Sequence, residues 1–324
     1  MHIAFLDVVD AAIEAMVQER VPRGSTIAFA AERTADARAA VLGAADVAFV
    51  IAAPIDAALI AQAPRLRFIQ KLGAGIDRVD LAACRRRGIT LARLAASNAV
   101  PVAEHTVLLM LAVLRRLPLM DAHTRAGHWD KEAGRARNQH LRGKTIGLLG
   151  CGAIGRTVAE ILAGFKVDVI YFDPVRLPPE QEARLGLRYA AQDELLRTAD
   201  VVSLHLPLTA ETQKFIDREK LAMMKPSAVL INCARGAIVD EGALADALKS
   251  GRLAGAGLDV FATEPPAGSP LLGLDNVVVT PHFAGATLNN FANVLDRAFR
   301  NALAHAEGRA LPGGDVVLAS TDQR

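Results

Sequence analysis

Three charged residues in this chain stand just past apolar runs of strand type, where side chains can reach a ligand. Residues 229–232 lead into Cys233-Ala234-Arg235-Gly236, residues 257–260 lead through Phe261 to Glu264-Pro265-Pro266, and residues 277–280 lead into Pro281-His282. Histidine trades protons near neutral pH. A carboxylate beside a histidine favours the charged imidazolium. Arginine grips a carboxylate through two parallel bonds and polarises a neighbouring carbonyl. Arg235, Glu264 and His282 therefore suit a 2-keto or 2-hydroxy acid better than a simple alcohol. Taken singly, each also reads as plain structure, a strand-end histidine or a surface ion pair. Their shared placement at one edge carries the reading. His205, in Leu204-His205-Leu206-Pro207, is the rival acid/base; it is expected inside a strand without an acidic partner, as a backbone contact. His105 is weaker still.

Residues 145–173 offer that edge a cofactor. Thr145-Ile146-Gly147-Leu148-Leu149 reads as a buried strand, and Gly150-Cys151-Gly152-Ala153-Ile154-Gly155 is a G-x-G-x-x-G turn. Val158, Ile161, Leu162 and Phe165 follow at helical spacing, and a second apolar run closes on Asp173. Gly150 allows the tight turn, Gly152 lets the backbone approach a pyrophosphate, and Gly155 lets helix and strand pack closely. The helix N-terminus turns free N–H groups and partial positive charge toward the phosphates. Asp173 follows the turn by about 20 residues, where a carboxylate accepts from the adenosine ribose hydroxyls and repels a 2′-phosphate. The dinucleotide is thus read as NAD, with nearby Arg176 the one residue arguing for NADP.

The rest of the chain must build the sheets that hold these residues. At 324 residues it is long enough for two domains, and 52% apolar with 22% charged residues describes a globular protein rather than a disordered one. A net charge of +2 with interspersed signs gives no footprint for nucleic acid or an anionic membrane. Cys84, Cys151 and Cys233 form neither a disulfide framework nor a metal cluster, which fits a reducing cytoplasm. Cys151 is read as a small filler rather than a redox thiol. The N-terminus lacks a signal-peptide pattern, and no run reaches membrane-spanning length. No H-E-x-x-H or cysteine pairing implies a metal, and no G-x-S-x-G a serine nucleophile.

Residues 1–98 alternate five β-like runs (3–6, 26–30, 47–52, 66–71 and 89–91) with helical segments at 11–19, 35–42 and 54–62, as in a flavodoxin-like parallel sheet. Gly73-Ala74-Gly75 follows the fourth run, where two glycines can expose backbone N–H groups to a carboxylate, with Lys71 adding positive potential. Residues 98–116 form the helix that enters a second domain at 99–285. A polar, partly basic stretch containing Trp129 follows as a surface loop or oligomer arm. Further strands at 187–189, 201–206, 229–232, 257–260 and 277–280 complete a six- or seven-stranded Rossmann-like sheet. From Thr287 a helix returns to the first domain, so 286–324 belongs with 1–98, and the last dozen residues are expected to be only partly ordered. The fold class is α/β: two Rossmann/flavodoxin-like parallel-sheet domains with a cleft between them.

In this order the motifs resemble the D-isomer-specific 2-hydroxyacid dehydrogenase family over nearly the whole chain. The matching pieces are Gly73-Ala74-Gly75-Ile76-Asp77, Val102-Ala103-Glu104-His105-Thr106, Leu141-Arg142-Gly143-Lys144-Thr145 before the glycine turn, Leu204-His205-Leu206-Pro207-Leu208-Thr209, Asn232 to Gly236, Leu258-Asp259-Val260-Phe261 and Pro281-His282. The resemblance implies Arg235 as substrate anchor, His282 as acid/base and Glu264 as its partner. It implies substrate-carboxylate binding by the backbone at Gly73, Ala74 and Gly75. NAD contacts are implied for Thr106, Ile154, Asp173, Pro207, Ala234 and Asp259, with Ala153 and His205 beside them. It also implies a homodimer joined through the nucleotide domain.

Relatives of formate dehydrogenase type carry glutamine where this chain has Glu264. Relatives acting on phosphoglycerate carry arginines in the loop matching Val50-Ile51-Ala52-Ala53-Pro54, which here has none. The sequence thus points to a small unphosphorylated 2-keto acid and its D-2-hydroxy acid. Phosphite oxidation, which shares the same three residues, and an NADH-sensing corepressor-like binding protein are the alternatives.

Overall fold

The computed structural model describes residues 1–320 and divides into two compact units, Met1–Asn98 with the chain from Thr287, and Ala99–Ala286. The first unit begins β1 (His2–Phe5), α1 (Ala11–Gln18), β2 (Thr26–Phe29), α2 (Ala35–Leu42), β3 (Val47–Val50), α3 (Ala57–Ala61), β4 (Phe68–Lys71), α4 (Leu81–Arg86) and β5 (Thr90–Arg93). The second unit runs α5 (Ala99–Leu114), α6 (Leu117–Arg125), α7 (Lys131–Arg137), β6 (Thr145–Leu149), α8 (Ala153–Leu162), β7 (Asp168–Phe172), α9 (Pro179–Leu185), β8 (Leu187–Tyr189), α10 (Gln192–Thr198), β9 (Val201–Leu204), α11 (Arg218–Met223), β10 (Val229–Asn232), α12 (Glu241–Lys249), β11 (Gly255–Leu258) and β12 (Val277–Val279). The chain closes the first unit with α13 (Leu288–Ala306) and β13 (Val316–Leu318).

In the first unit the strand order is β13-β5-β4-β3-β1-β2, parallel except for β13, which pairs antiparallel with β5. Without β13 this is the doubly wound order of flavodoxin-like sheets. The helices start sharply because Asp10, Thr34, Asp56 and Asp80 each accept the backbone N–H three residues on, which satisfies an otherwise orphaned donor. One face of the sheet packs Ala4, Ala48, Val50, Ile69 and Leu91 under α2, α3 and α4. The other packs Phe5, Phe49 and Phe68 under α13, where Leu295 and Phe299 each contribute about 2–3 kcal/mol of burial. A buried polar cluster ties the closing segment down: Arg297 pairs with both oxygens of Asp315, Asn301 donates to Gln70 and Asp315, and Ala95 N donates to Asp315.

The second unit is a seven-stranded parallel sheet in the order β12-β11-β10-β9-β6-β7-β8. Counted from β6, the first six strands follow the dinucleotide-binding arrangement, with order reversing between β6 and β9. α5, α8 and α9 cover one face through Leu109, Val113, Val158, Leu162 and Leu185; α10, α11 and α12 cover the other through Leu195, Leu221 and Leu244.

Four local expectations change. The first sheet has six strands, because residues 316–318 pair with β5; of the closing dozen residues expected to be partly ordered, 321–324 lie outside the described residues. α4 was not expected. The polar stretch after Pro118 is helical at α6 and α7 rather than a loop. β11 starts two residues early, at Gly255, because Gly255 and Gly257 leave room for Leu109 and Val113 of α5.

Candidate active site

Parallel register fixes where the site residues emerge. Leu149 pairs with Phe172 and Leu204, Asn232 with Leu204 and Leu258, and Leu258 with Val279. Gly150, Asp173, His205, Cys233, Asp259 and Thr280 are therefore the next residues off one sheet edge, the carboxyl edge at which ligands of such sheets sit. Arg235, Glu264 and His282 lie in the loops these residues begin.

Each loop is held by its own polar contacts. Asn232, buried at the end of β10, donates to Arg235 O at 2.9 Å and accepts from Ala234 N at 3.0 Å, folding the arginine segment back on its strand. Arg235 Nη1 donates to Ala234 O at 2.7 Å. Gly236 then abuts the next loop so tightly that an added Cβ would lie 1.8 Å from the Phe261 carbonyl carbon. In that loop Phe261 N donates to Glu264 Oε1 at 3.3 Å, and Ala262 N to Glu241 Oε1 at 2.6 Å.

His282 Nδ1 lies 3.0 Å from both carboxylate oxygens of Glu264. A carboxylate only accepts, so the proton sits on Nδ1 and Nε2 is left for exchange with a ligand. The His282 side chain is 46% exposed, so the exchange position is open. Its backbone is in the left-handed region, φ 54°, which for a non-glycine costs about 1–3 kcal/mol and persists only where the surroundings enforce it. Asp259 does the enforcing. Its carbonyl accepts from His282 N at 2.7 Å, and its carboxylate, 1% exposed, accepts from Thr280 Oγ1 (2.6 Å), Phe283 N and Ala284 N (both 3.0 Å). Sequence reasoning gave Asp259 only as an NAD contact. Its clamping of residues 280–284, like the support from Glu241, depends on partners remote in sequence and left no local signal, whereas Asn232 acts within its own segment.

The glycine turn fits a dinucleotide. Gly150 has φ 97° and an added Cβ there would strike His205 O at 2.6 Å; one at Gly155 would strike Gly150 O at 2.5 Å. Around Gly152, in contrast, nothing lies within 4 Å of that position. Gly152 is also the N-cap of α8 and supplies no side-chain cap, so the first-turn amides beside Ala153 and Ile154 keep donors for phosphate oxygens. Asp173 accepts from Cys151 N at 2.8 Å and Val175 N at 2.9 Å, which fixes its carboxylate while leaving lone pairs for ribose hydroxyls. Arg176 forks onto Glu182 at 2.9 and 3.0 Å, and Tyr171 donates to the same carboxylate, which holds Glu182 down at about 2. Arg176 is thus engaged with a carboxylate rather than set out beside Asp173 for a 2′-phosphate. Burial pushes the Cys151 thiol up to about 12, keeping it protonated and inert, as a filler requires.

The remaining expected contacts divide. Ala234 is half-buried and Pro207 exposed at the carboxyl edge. Thr106 is fully buried on α5, its hydroxyl donating to Val102 O at 2.8 Å. His205 stands one residue beyond β9 rather than inside it; the ladder ends as its amide bonds Leu149 O at 2.7 Å and its ring turns back to Ser203 Oγ at 3.0 Å. Enclosure lowers its pKa to about 4, which leaves it neutral and unsuited to rival His282.

Gly73, Ala74 and Gly75 belong to the first unit. Gly73 O accepts from Leu94 N at 3.1 Å, and among the described residues the Ala74 and Gly75 amides have no hydrogen-bond partner. Nearby, Asp7 accepts from the amides of Ile51, Ala52 and Ala53 at 2.5, 2.7 and 2.8 Å, while Lys71 and Arg78 donate to the Ile51 and Ala52 carbonyls. A cavity of about 600 Å³ in the second unit, lined by Val113, Leu119, Val229 and Val277, lies at the opposite ends of the strands and contains none of the expected site residues. No described helix is long and apolar enough to cross a membrane.

Residues 107–284 match the family model described as D-isomer specific 2-hydroxyacid dehydrogenase, NAD binding domain. The chain is 42% identical over 247 residues to D-3-phosphoglycerate dehydrogenase of Mycobacterium bovis, covering 76% of this chain and 46% of that protein. It thus spans about half the length of these curated relatives. Glyoxylate reductase of Thermococcus litoralis is 38% identical over 274 residues, 82% of either chain. Among solved structures, NAD-dependent formate dehydrogenase from Staphylococcus aureus in complex with NAD superposes with a TM-score of 0.87 at 30% identity, covering 99% of this chain and all of that one.

Proposed function

The chain belongs to the D-isomer-specific 2-hydroxyacid dehydrogenase family, and from this we propose that it interconverts a small unphosphorylated 2-keto acid and its D-2-hydroxy acid with NAD. The observation that carries the reading is the His282–Glu264 pair at 3.0 Å, in a loop off the same sheet edge as the open glycine turn and Arg235. Bound at that turn, the nicotinamide cofactor supplies a hydride to C2 of the keto acid, or takes one from the hydroxy acid. In reduction His282 gives the Nε2 proton to the carbonyl oxygen as it becomes hydroxyl, and Glu264 stabilises the imidazolium beforehand and keeps the ring in place. Arg235 holds the substrate carboxylate and polarises the carbonyl. Within the first unit, the Ala74 and Gly75 amides are two N–H donors of the kind that bind a carboxylate. A carboxylate at 264 supports a reaction that moves a proton.

The unphosphorylated substrate is supported by the loop at 51–53. Its amides are already taken by Asp7, so they are not open to phosphate oxygens, and the loop brings no arginine of its own. We further propose a homodimer through the nucleotide-binding unit, on the strength of the apolar side chains it leaves at the surface: Val100, Leu108, Leu117 and Trp129, the last 82% exposed. Three free cysteines support a cytoplasmic setting.

The test is NADH consumption by the purified protein on glyoxylate, hydroxypyruvate, pyruvate, and longer aliphatic and aromatic 2-keto acids, with His282→Ala alongside. Turnover with one favourite, reduced about 10²- to 10⁴-fold in the variant while NADH still binds, is the expected result. Unchanged turnover in His282→Ala removes the acid/base assignment. Silence across the panel refutes the keto-acid reading and directs the assay to phosphite with NAD.

A further inference from the structure

We propose that His105 and Thr280, which touch none of the reacting atoms, are positioning residues that act through Asp259 to hold the His282 ring against Glu264. The proposal rests on His282 being the proton carrier.

The hydrogen bonds run in one direction only. Thr280 has a single hydroxyl proton, and at 2.6 Å it goes to the ionised Asp259 Oδ1, which only accepts. Thr280 Oγ1 must then accept from its other neighbour, His105 Nε2, at 3.1 Å. His105 is accordingly the Nε2–H tautomer, and it lies 3.7 Å from Asp259 Oδ1 without a direct bond. Burial holds His105 below the usual histidine range against the opposing pull of Asp259, so the donor is neutral. A neutral donor orients the hydroxyl without cancelling the charge on which the Phe283 and Ala284 amides depend.

The same ring also meets the far side of the loop. His105 stands edge-on to Phe283, ring centres 5.1 Å apart at 69°. It therefore touches the chain on both flanks of His282, at 280 and at 283. His282 sits between them with a left-handed backbone, uncommon for any residue but glycine. His105 is anchored from below, because α5 buries Val102, Ala103, Val107 and Leu109 around it. The loop that carries the proton donor is thus registered against a helix rather than left to its own turn.

Two pairs of variants test this in the whole protein. Thr280→Val and His105→Phe keep size and remove the hydrogen bond; Thr280→Ser and His105→Gln keep a donor at the same place. The expected result is a loss of about 10- to 100-fold in kcat for the first pair, with KM for the preferred keto acid and NADH affinity little changed, and recovery to near wild type in the second. Hydrogen–deuterium exchange without substrate supplies an arm independent of turnover. Exchange at the amides of 282–284 should rise at least about tenfold in Thr280→Val while β10 and β11 stay protected. Equal losses in both pairs would mean packing alone, and overturn the proposal. So would an unchanged kcat in His105→Phe, or unaltered exchange at 282–284. If no keto acid is turned over, the function above fails while the exchange arm still decides whether this chain of bonds holds the loop.

Discussion

Replacing Gly236 by alanine should be far more damaging than its one methyl group suggests. The backbone there is not left-handed, so alanine meets no conformational penalty. The conflict is steric: the new Cβ would lie 1.8 Å from Phe261 C, 2.2 Å from Phe261 O and 2.3 Å from Ala262 N, all backbone atoms that no rotamer change can move. Relief requires the two loops to part by about 1.5 Å, and overpacking of this kind typically costs 1–3 kcal/mol. In a domain of this size that lowers Tm by about 2–12 °C. Arg235 is the neighbour on one side, and on the other the Phe261 amide holds Glu264. A 1 Å misplacement of such groups costs about 10²-fold in rate. We therefore expect Gly236→Ala to lose about 100-fold in kcat/KM on the preferred keto acid, read by NADH consumption, with the lower Tm read by calorimetry. Gly164→Ala is the control, since nothing lies within 4 Å of its added carbon. If Gly236→Ala matches wild type in both measurements, the close approach of the two loops is wrong, and with it the account of how Arg235 and Glu264 are held together.

Two further outcomes follow from the charges. In Asp173→Ser, the ratio of kcat/KM for NADPH over NADH should rise by about tenfold or more, because the carboxylate that repels a 2′-phosphate is gone; an unchanged ratio would remove Asp173 as the discriminating residue. Stability should fall with acid before most carboxylates titrate. His205 is lowered from 6.5 to about 4, and His105 and His305 are also lowered, all chiefly by burial, so the unfolded chain binds protons that the folded chain refuses. Their contribution is present above pH 6.5 and is lost as the pH falls toward 4, with His205 accounting for at most about 3 kcal/mol. A flat Tm between pH 7 and 4.5 would contradict this, and the decline should be shallower in His205→Gln.

The parts of the fold legible in the sequence were those whose signal is local. Central strands such as Val47–Val50 are continuous apolar runs because both faces are covered, and the glycine turn states its own geometry. Arg235, Glu264 and His282 could be singled out because each follows an apolar run of strand type within a few residues. The misses share a different cause. β13 is three half-buried residues whose partners, Leu91 and Ala92, are remote in the chain. α6 and α7 are too polar for an apolar stripe to reveal them, with no fully buried side chain in the first. The pairing of Arg176 with Glu182 under Tyr171, and the loop clamp at Asp259, exist only once separate segments meet. The ends of β9 and β11 were misplaced because hydrogen bonding, not composition, decides where a strand stops.

The route of the chain through the first unit has a consequence during synthesis. Phe5, Phe49 and Phe68 are covered by α13, with Phe49 and Phe299 edge to face at 5.0 Å, yet the whole of Ala99–Ala286 is translated in between. At ordinary elongation rates of about 5–20 residues per second, that leaves the part of this face not covered by α1 bare for on the order of ten to forty seconds. The nucleotide-binding unit is continuous in sequence and carries all its own strands, so it can complete its core while the earlier segment waits, available to chaperones and to misassembly. The part of the molecule made first is among the last to be finished.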